Sequence, residues 1–162
     1  MAYLRATVPI LALLALAACN PLGLTAYENS RFAYGIRYPE QQLVAGPVTA
    51  DGTGRTFVSR DGLARARVWS RPSTGEGDSA VADAIERDCA GGAADYRRVD
   101  EGKLTIECAV GDEQVYHMAL VRRDRVVAFR MTYPADRNGE RWRVTAVNMA
   151  RTFYARAEAP AT

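Results

Sequence analysis

The feature that most constrains the fold is a close succession of alternating apolar segments joined by two-residue turns. Asp61-Gly62 and Glu101-Gly102 are typical of β-hairpins, and Arg123-Asp124 separates another pair of such segments. The strands that these turns accompany are predicted over 56–60, 63–70, 96–100, 103–110, 113–122 and 125–133. Parallel neighbours need crossovers of a dozen or more residues, so connections this short predict an antiparallel sheet.

The remaining segments predict one more strand, a loop and two helices. Phe32, Tyr34, Ile36 and Tyr38 share one face of a strand over 31–38, and the Gly- and Pro-containing stretch 40–54 is predicted as a loop. A helix is predicted over 79–89, and a second of about 14 residues after Asn138-Gly139. The fold class is therefore α+β, with an antiparallel sheet that the two helices flank.

Three stretches of the chain resemble the PsbP-like superfamily. They are Arg31-Phe32-Ala33-Tyr34-Gly35-Ile36-Arg37-Tyr38-Pro39, the segment Asp51 to Trp69, and Met131-Thr132-Tyr133-Pro134 before the last helix. The resemblance covers about residues 30 to 154 and implies an α/β/α sandwich around a twisted antiparallel sheet. It also implies that the protein acts by docking to other proteins. The superfamily has no catalytic motif, so the resemblance assigns no functional residue in this chain.

The first nineteen residues have the pattern of a signal peptide. Arg5 precedes an apolar run from Val8 to Ala18, which is too short for a bilayer-spanning helix of about 20 residues. Leu16-Ala17-Ala18-Cys19 resembles the bacterial lipobox, which implies cleavage of residues 1–18 and acylation of Cys19 by chains such as palmitate. An ordinary secretory signal with an incidental cysteine, or a short membrane anchor, is the alternative.

The same resemblance gives an expected location and domain organisation. Asn20 follows the cysteine, which in lipoproteins of diderm bacteria implies export to the outer membrane, on its periplasmic face; the inner membrane is the second choice. We expect an acylated cysteine and linker over 19–30, one α+β domain over 31–154 and a flexible tail over 155–162.

Cysteine spacing predicts one disulfide. With Cys19 lipidated, Cys89 and Cys108 remain as a pair in an oxidising compartment. Cys89 shares a helical stripe with Val81 and Ile85, and Cys108 shares a strand face with Ile106. Because the apolar stripe of the helix and the apolar face of the strand are both expected to pack in the core, we predict a Cys89–Cys108 bridge from helix to sheet. The alternative is two buried free thiols.

Composition argues against several classes of function. The 162 residues carry a net charge of +2, so the basic excess of a nucleic-acid-binding protein is missing. One histidine and three cysteines leave little room for a metal, and no cofactor motif occurs. His117 alternates with Val115, Ala119 and Val121 and no G-x-S-x-G accompanies it, so we interpret it as structural and expect no enzyme.

Arginine clusters provide the one candidate binding site. Arg65, Arg67 and Trp69 alternate along one strand face, and a guanidinium beside an aromatic ring suits carboxylate or phosphate groups. Arg122, Arg123 and Arg125 form a second cluster at a hairpin tip. The alternative is a solvated face whose arginines pair with nearby acids.

These observations lead to three functional hypotheses. The first is a non-catalytic lipoprotein, facing the periplasm and held to the membrane through Cys19, that docks to an envelope protein or assists its assembly. The alternative is a small-ligand or anion-binding module that uses the face of Arg65, Arg67 and Trp69. A hydrolase built on His117 is the least favoured.

Overall fold

The computed structural model describes residues 23–89 and 94–156. The signal peptide over 1–18, Cys19 and the helix-stopping glycines Gly91 and Gly92 lie outside the described residues. So does the tail over 155–162, apart from its first two residues. No helix in the described ranges is long and apolar enough to cross a membrane.

Ten strands and two helices make up the described part of the chain. The strands are β1 (Leu24–Asn29), β2 (Tyr34–Pro39), β3 (Leu43–Val48), β4 (Gly54–Ser59), β5 (Arg65–Pro72), β6 (Tyr96–Asp100), β7 (Lys103–Val110), β8 (Glu113–Val121), β9 (Arg125–Pro134) and β10 (Tyr154–Ala155). The helices are α1 (Asp78–Glu86), between β5 and β6, and α2 (Gly139–Thr152), between β9 and β10.

Seven strands form one antiparallel sheet in the order β3-β4-β5-β9-β8-β7-β6. The hairpins that the sequence predicts are present, and Gly62 and Gly102 adopt the left-handed backbone (φ 75° and 65°) that their turns require. In this sheet, every pair of hydrogen-bonded strands is consecutive in the chain, except β5 and β9. That one pairing closes the sheet around the inserted α1 and β6–β8.

A smaller sheet of three strands corrects the predicted start of the domain. Residues 24–29, expected to be linker, form β1 and pair along their whole length with β2. Tyr27 and Asn29 are buried, whereas Ala26 and Glu28 are exposed. The pattern is a half-buried strand, hidden in the sequence by its polar residues and by the neighbouring Pro21 and Gly23.

Two other boundaries differ from prediction for local reasons. β3 lies inside the predicted loop 40–54, because Gly46 and Pro47 are tolerated in an edge strand whose register shifts between Ala45 and Val48. β2 begins at Tyr34 rather than Arg31, since the residues before it turn through Ala33, whose φ is 51°.

The two helices cover opposite faces of the large sheet, as a three-layer α/β/α arrangement requires. α2 packs with β2, β8 and β9, and its buried Trp142, Ala146 and Met149 join a core with Phe57 and Phe129. α1 packs on β6 and β7, where Val81 and Ala82 meet a second core. This second core also reaches β5, since Trp69 packs against it.

A disulfide joins Cys89 to Cys108, as the sequence predicts, with 5.7 Å between the two Cα atoms. The helix does not run to Cys89, however, but ends at Glu86. The amide of Cys89 donates to the carbonyl of Glu86 in a tighter turn. This turn carries the cysteine out of the helix and against β7.

Candidate functional site

The predicted trio of Arg65, Arg67 and Trp69 lies on one face of β5. Ala66 and Val68, the residues between them, are buried in the core beneath α2, so the trio points to the opposite side of the sheet. At its Trp69 end, this face meets the second core beneath α1. Arg65 and Arg67 are exposed and Trp69 is half-buried.

Two residues that the sequence did not assign to this site complete it. Arg130 on β9 lies directly opposite Arg67, and His117 on β8 lies directly opposite Arg130. Residues directly opposite in a sheet project from the same face. We call the group of Arg65, Arg67, Trp69, His117 and Arg130 the arginine face.

The three arginines of this face have no acidic partner. Within residues 23–89 and 94–156, the side chains of Arg65, Arg67 and Arg130 make no ion pair or hydrogen bond. Other arginines do; Arg97, for example, bonds both Asp83 and Glu86 at 2.8 Å. Among the described residues, therefore, no acid pairs with these three guanidinium groups.

Aromatic contacts fix the centre of the arginine face. The Arg67 guanidinium carbon lies 5.1 Å from the centre of the Trp69 ring, and the Trp69 and His117 rings meet edge to face at 5.6 Å. Gly54 lies opposite Trp69 on β4, and a Cβ there would come within 2.8 Å of the Trp69 Cβ. The missing side chain at Gly54 thus permits the close approach of β4 to the backbone of β5 at Val68 and Trp69.

Two buried nitrogen atoms at the site have no hydrogen-bond partner. They are Nε of Arg130 and Nε2 of His117. Burial, and then the charge of Arg130, lowers the pKa of His117 to about 3. His117 is therefore neutral at physiological pH and a weak general base, which agrees with its interpretation as a structural residue.

A small cavity lies beside the arginine face but does not contain its arginines. It has a volume of about 170 Å³ between α1 and the sheet, and Trp69, His117, Val81 and Ile85 are among its lining residues. Ligand pockets usually have about 300–1,000 Å³. The three arginines themselves project from an open sheet surface.

The second predicted arginine cluster is structural at two of its three positions. Arg122 Nη2 donates to the carbonyl of Ala155 at 3.3 Å, and Arg125 Nη2 donates to the carbonyl of Arg156 at 2.8 Å. Arg125 is only 4% exposed. These side chains hold the segment after α2 against the sheet, so the anion-binding interpretation does not extend to them.

A larger cleft lies on the other side of the molecule, between α2 and two loops. Its volume is about 660 Å³, and its arginines already have partners. Arg141 pairs with Asp61, and Arg60 donates to the carbonyls of Glu40 and Gln41. The described residues contain no group of three His, Cys, Asp or Glu side chains that could hold a metal ion.

Comparison with known proteins gives matches at the level of structure. No protein-family model and no curated protein sequence matches the chain. The solution structure of cyanobacterial PsbP (CyanoP) from Synechocystis sp. PCC 6803 matches with a TM-score of 0.60 and 16% identity, over 87% of this chain and 99% of that one. The fold is PsbP-like.

A second solved structure extends this likeness. The Saccharomyces cerevisiae Ran-binding protein Mog1p, solved at 1.9 Å, matches with a TM-score of 0.55 and 13% identity. The match covers 83% of this chain and 96% of that one. Identities this low show a common PsbP-like fold, and the predicted α+β class with a twisted antiparallel sheet and two helices is confirmed.

Proposed function

We propose that this chain is a lipid-anchored, non-catalytic accessory protein that docks to an envelope protein through the arginine face. The observation that carries the proposal is the set of three exposed or half-exposed arginines without an acidic partner. Arg67 and Arg130 lie directly opposite each other, and like charges in that arrangement destabilise a sheet. An anionic surface laid over them removes this repulsion.

The lipid anchor and its location rest on the sequence. Leu16-Ala17-Ala18-Cys19 at the end of the apolar run supports acylation of Cys19, and Asn20 supports the periplasmic face of the outer membrane. Two or three acyl chains hold a protein stably at a membrane, whereas one holds it marginally. The partner is therefore an envelope protein that comes close to that surface.

A docking role rather than a reaction is supported by the chemistry of the site. His117 is neutral and its Nε2 has no hydroxyl or thiol partner. The PsbP-like fold also accommodates protein binding, since Mog1p is described as a Ran-binding protein. An open sheet face with unpaired charge suits a macromolecular surface better than a reacting small molecule.

Site-specific photo-crosslinking in cells tests this proposal. A photoreactive residue replaces Thr56, which lies opposite Arg67 on β4, in the full-length acylated protein. We expect one predominant crosslinked protein, and its loss when Arg65, Arg67 and Arg130 are changed to glutamine. The control places the photoreactive residue at Arg37, an exposed position on β2 in the smaller sheet.

The outcome that contradicts docking is equally specific. If crosslinks from Thr56 are absent, or match those from Arg37 in identity and yield, the arginine face is not a docking surface.

A small-ligand or anion-binding module is the second candidate function. The two arginines that lie directly opposite each other, Arg67 and Arg130, favour it, because among the described residues neither has an acidic partner. Titration with inorganic phosphate and with acetate, followed through Trp69 fluorescence, tests it directly. Saturable binding of either ion in the absence of any crosslinked protein would favour this second function.

A further inference from the structure

The geometry points to the chemistry of the partner: an extended, acidic polypeptide segment that lies along β5 on the arginine face. This inference rests on the proposed docking function and adds what the docking surface recognises. Its basis is the charge, the spacing and the shape of the face.

Charge requires an anionic partner. Arg65, Arg67 and Arg130 are close together, and within the described ranges none has an acidic partner. His117 adds no acid and, being neutral, no further positive charge. Arginine binds carboxylates through two parallel hydrogen bonds, so carboxylate side chains fit these guanidinium groups.

Spacing favours an extended chain over a single compact anion. Arg65, Arg67 and Trp69 are two residues apart in turn, which places their Cα atoms about 6.8 Å apart along the strand. In an extended partner segment, side chains at i, i+2 and i+4 also point to one side with that spacing. Two carboxylates followed by an apolar side chain would therefore meet Arg65, Arg67 and Trp69 in order.

Arg130 strengthens the central contact of this arrangement. It is one strand away from Arg67 at the same level of the sheet, about 5 Å between Cα atoms. The carboxylate that meets Arg67 therefore lies close to the half-buried side chain of Arg130, which has no acidic partner among the described residues. We expect the central acidic residue of the segment to contribute most to binding.

The shape of the face argues against a phosphate pocket. The small cavity beneath α1 is lined by Trp69 and His117, and none of the three arginines is among its lining residues. The exposed Val44 and half-buried Val58 add apolar surface beside Arg65 on the same side of the sheet. A segment with alternating side chains covers both kinds of surface, whereas a phosphate ion or headgroup meets only the charge.

Fluorescence anisotropy with defined peptides tests the inference on the full acylated protein in uncharged detergent micelles. The probe is fluorescein-labelled Ser-Glu-Ser-Glu-Ser-Leu-Ser, capped at both ends. One control peptide has glutamine for both glutamates. The other, Ser-Glu-Glu-Ser-Ser-Leu-Ser, keeps the composition and breaks the alternate spacing.

We expect the probe to bind roughly tenfold more tightly than either control peptide, the difference that one charge-assisted hydrogen-bonded pair provides. Arg67→Gln and Arg130→Gln should each weaken binding of the probe by about the same factor, while Arg37→Gln should leave its affinity unchanged. Thermal unfolding of the two variants checks that they are folded, and relief of Arg67–Arg130 repulsion should keep their midpoints from falling.

Several results would overturn the inference. Equal binding of both glutamate peptides would show that only general charge attraction operates at the site. Unchanged binding of the probe by Arg67→Gln and Arg130→Gln would show that the probe binds elsewhere on the protein. Binding to phosphatidylglycerol vesicles without binding to the probe would identify a membrane surface as the occupant. Saturable binding of millimolar inorganic phosphate by a protein that does not bind the probe would identify a free anion as the occupant.

Failure of this inference is distinguishable from failure of the proposed function. If crosslinking from Thr56 captures a protein partner that Arg67→Gln and Arg130→Gln together retain, docking stands and the acidic-segment chemistry is wrong. If no partner is captured but the glutamate probe binds with the expected spacing preference, the recognition chemistry stands and the protein-docking function is wrong.

Discussion

At the scale of single residues, the structure divides the arginines of this chain by what their guanidinium groups contact. The chain has twenty arginines and one lysine, a bias that by itself says nothing about a site. Arg125 is buried and donates to the carboxylate of Asp124 and to the carbonyl of Arg156, and Arg143 bonds Glu107 at 2.9 Å. Arg67 and Arg130 lie opposite each other, and among the described residues neither has an acidic partner.

His117 gives a residue-scale prediction about pH. Its pKa is about 3 in the folded protein, below the value near 6.5 of an unfolded chain. Its contribution to stability is therefore complete above pH 6.5 and is lost as pH falls toward 3. Between pH 6.5 and 5, we expect the free energy of unfolding to fall by about 1.5 kcal/mol more in the wild type than in His117→Phe.

Urea denaturation of both proteins at the two pH values, at constant salt, measures this difference. The window stays above the range in which most carboxylates titrate, and phenylalanine preserves a ring beside Trp69. Identical pH dependence in the two proteins would show that His117 is not held neutral by its surroundings.

At the scale of elements, α1 illustrates how a short helix is held in place. It has nine residues, of which only Val81 and Ala82 are buried, and isolated helices this short are marginal in water. Asp78 accepts a hydrogen bond from the amide of Gly102 at 2.7 Å at one end, and the disulfide of Cys89 lies just beyond the other. The helix is fixed at both ends to the β6–β7 hairpin.

Removal of the disulfide gives an element-scale prediction. Cys89→Ala combined with Cys108→Ala should lower the free energy of unfolding by about 3 kcal/mol, because the unfolded chain loses a closed loop. Hydrogen exchange should increase most over α1, which depends on this link. Chemical denaturation and amide exchange measure the two effects.

A reductant supplies the control for this prediction. Wild-type protein under reducing conditions should match the double variant, and the variant itself should not respond to the reductant. A wild type whose stability is unaffected by reduction would contradict the structural role of the bridge.

At the scale of the whole molecule, the position of β1 limits the distance between the domain and its proposed anchor. Because β1 begins at Leu24, residues 20–23 are all that separate Cys19 from the first strand. Four residues span at most about 14 Å even when fully extended. An acylated Cys19 would therefore keep the start of β1 close to the membrane.

Anchoring through Cys19 is itself testable. Cys19→Ser should abolish metabolic labelling with an alkyne analogue of palmitate and move the protein from the membrane to the soluble fraction of lysed cells. Cys89→Ser serves as the matched control and should leave labelling unchanged. A Cys19→Ser protein that stays labelled and membrane-bound would disprove lipidation at this residue.

Local sequence patterns determined much of this protein. Alternation and two-residue turns predicted β7 over 103–110 at the observed boundaries. The Cys89–Cys108 bridge was also predicted, although Cys89 lies in a turn after α1 and not on its helical stripe. Such patterns work because side-chain period and turn conformation are properties of a few adjacent residues. β1 and β3 were missed because polar residues, glycine and proline weaken the alternation that marks a strand.

Tertiary structure alone decided the composition of the arginine face. Alternation along β5 shows that Arg65, Arg67 and Trp69 share a side, but it does not show which strand comes next. Arg130 lies 63 positions after Arg67, and they become neighbours because β5 pairs with β9 across the inserted α1 and β6–β8. The alternation of side chains along a strand is a local property. The order of the strands and the position of a helix on the sheet depend on how the whole core packs.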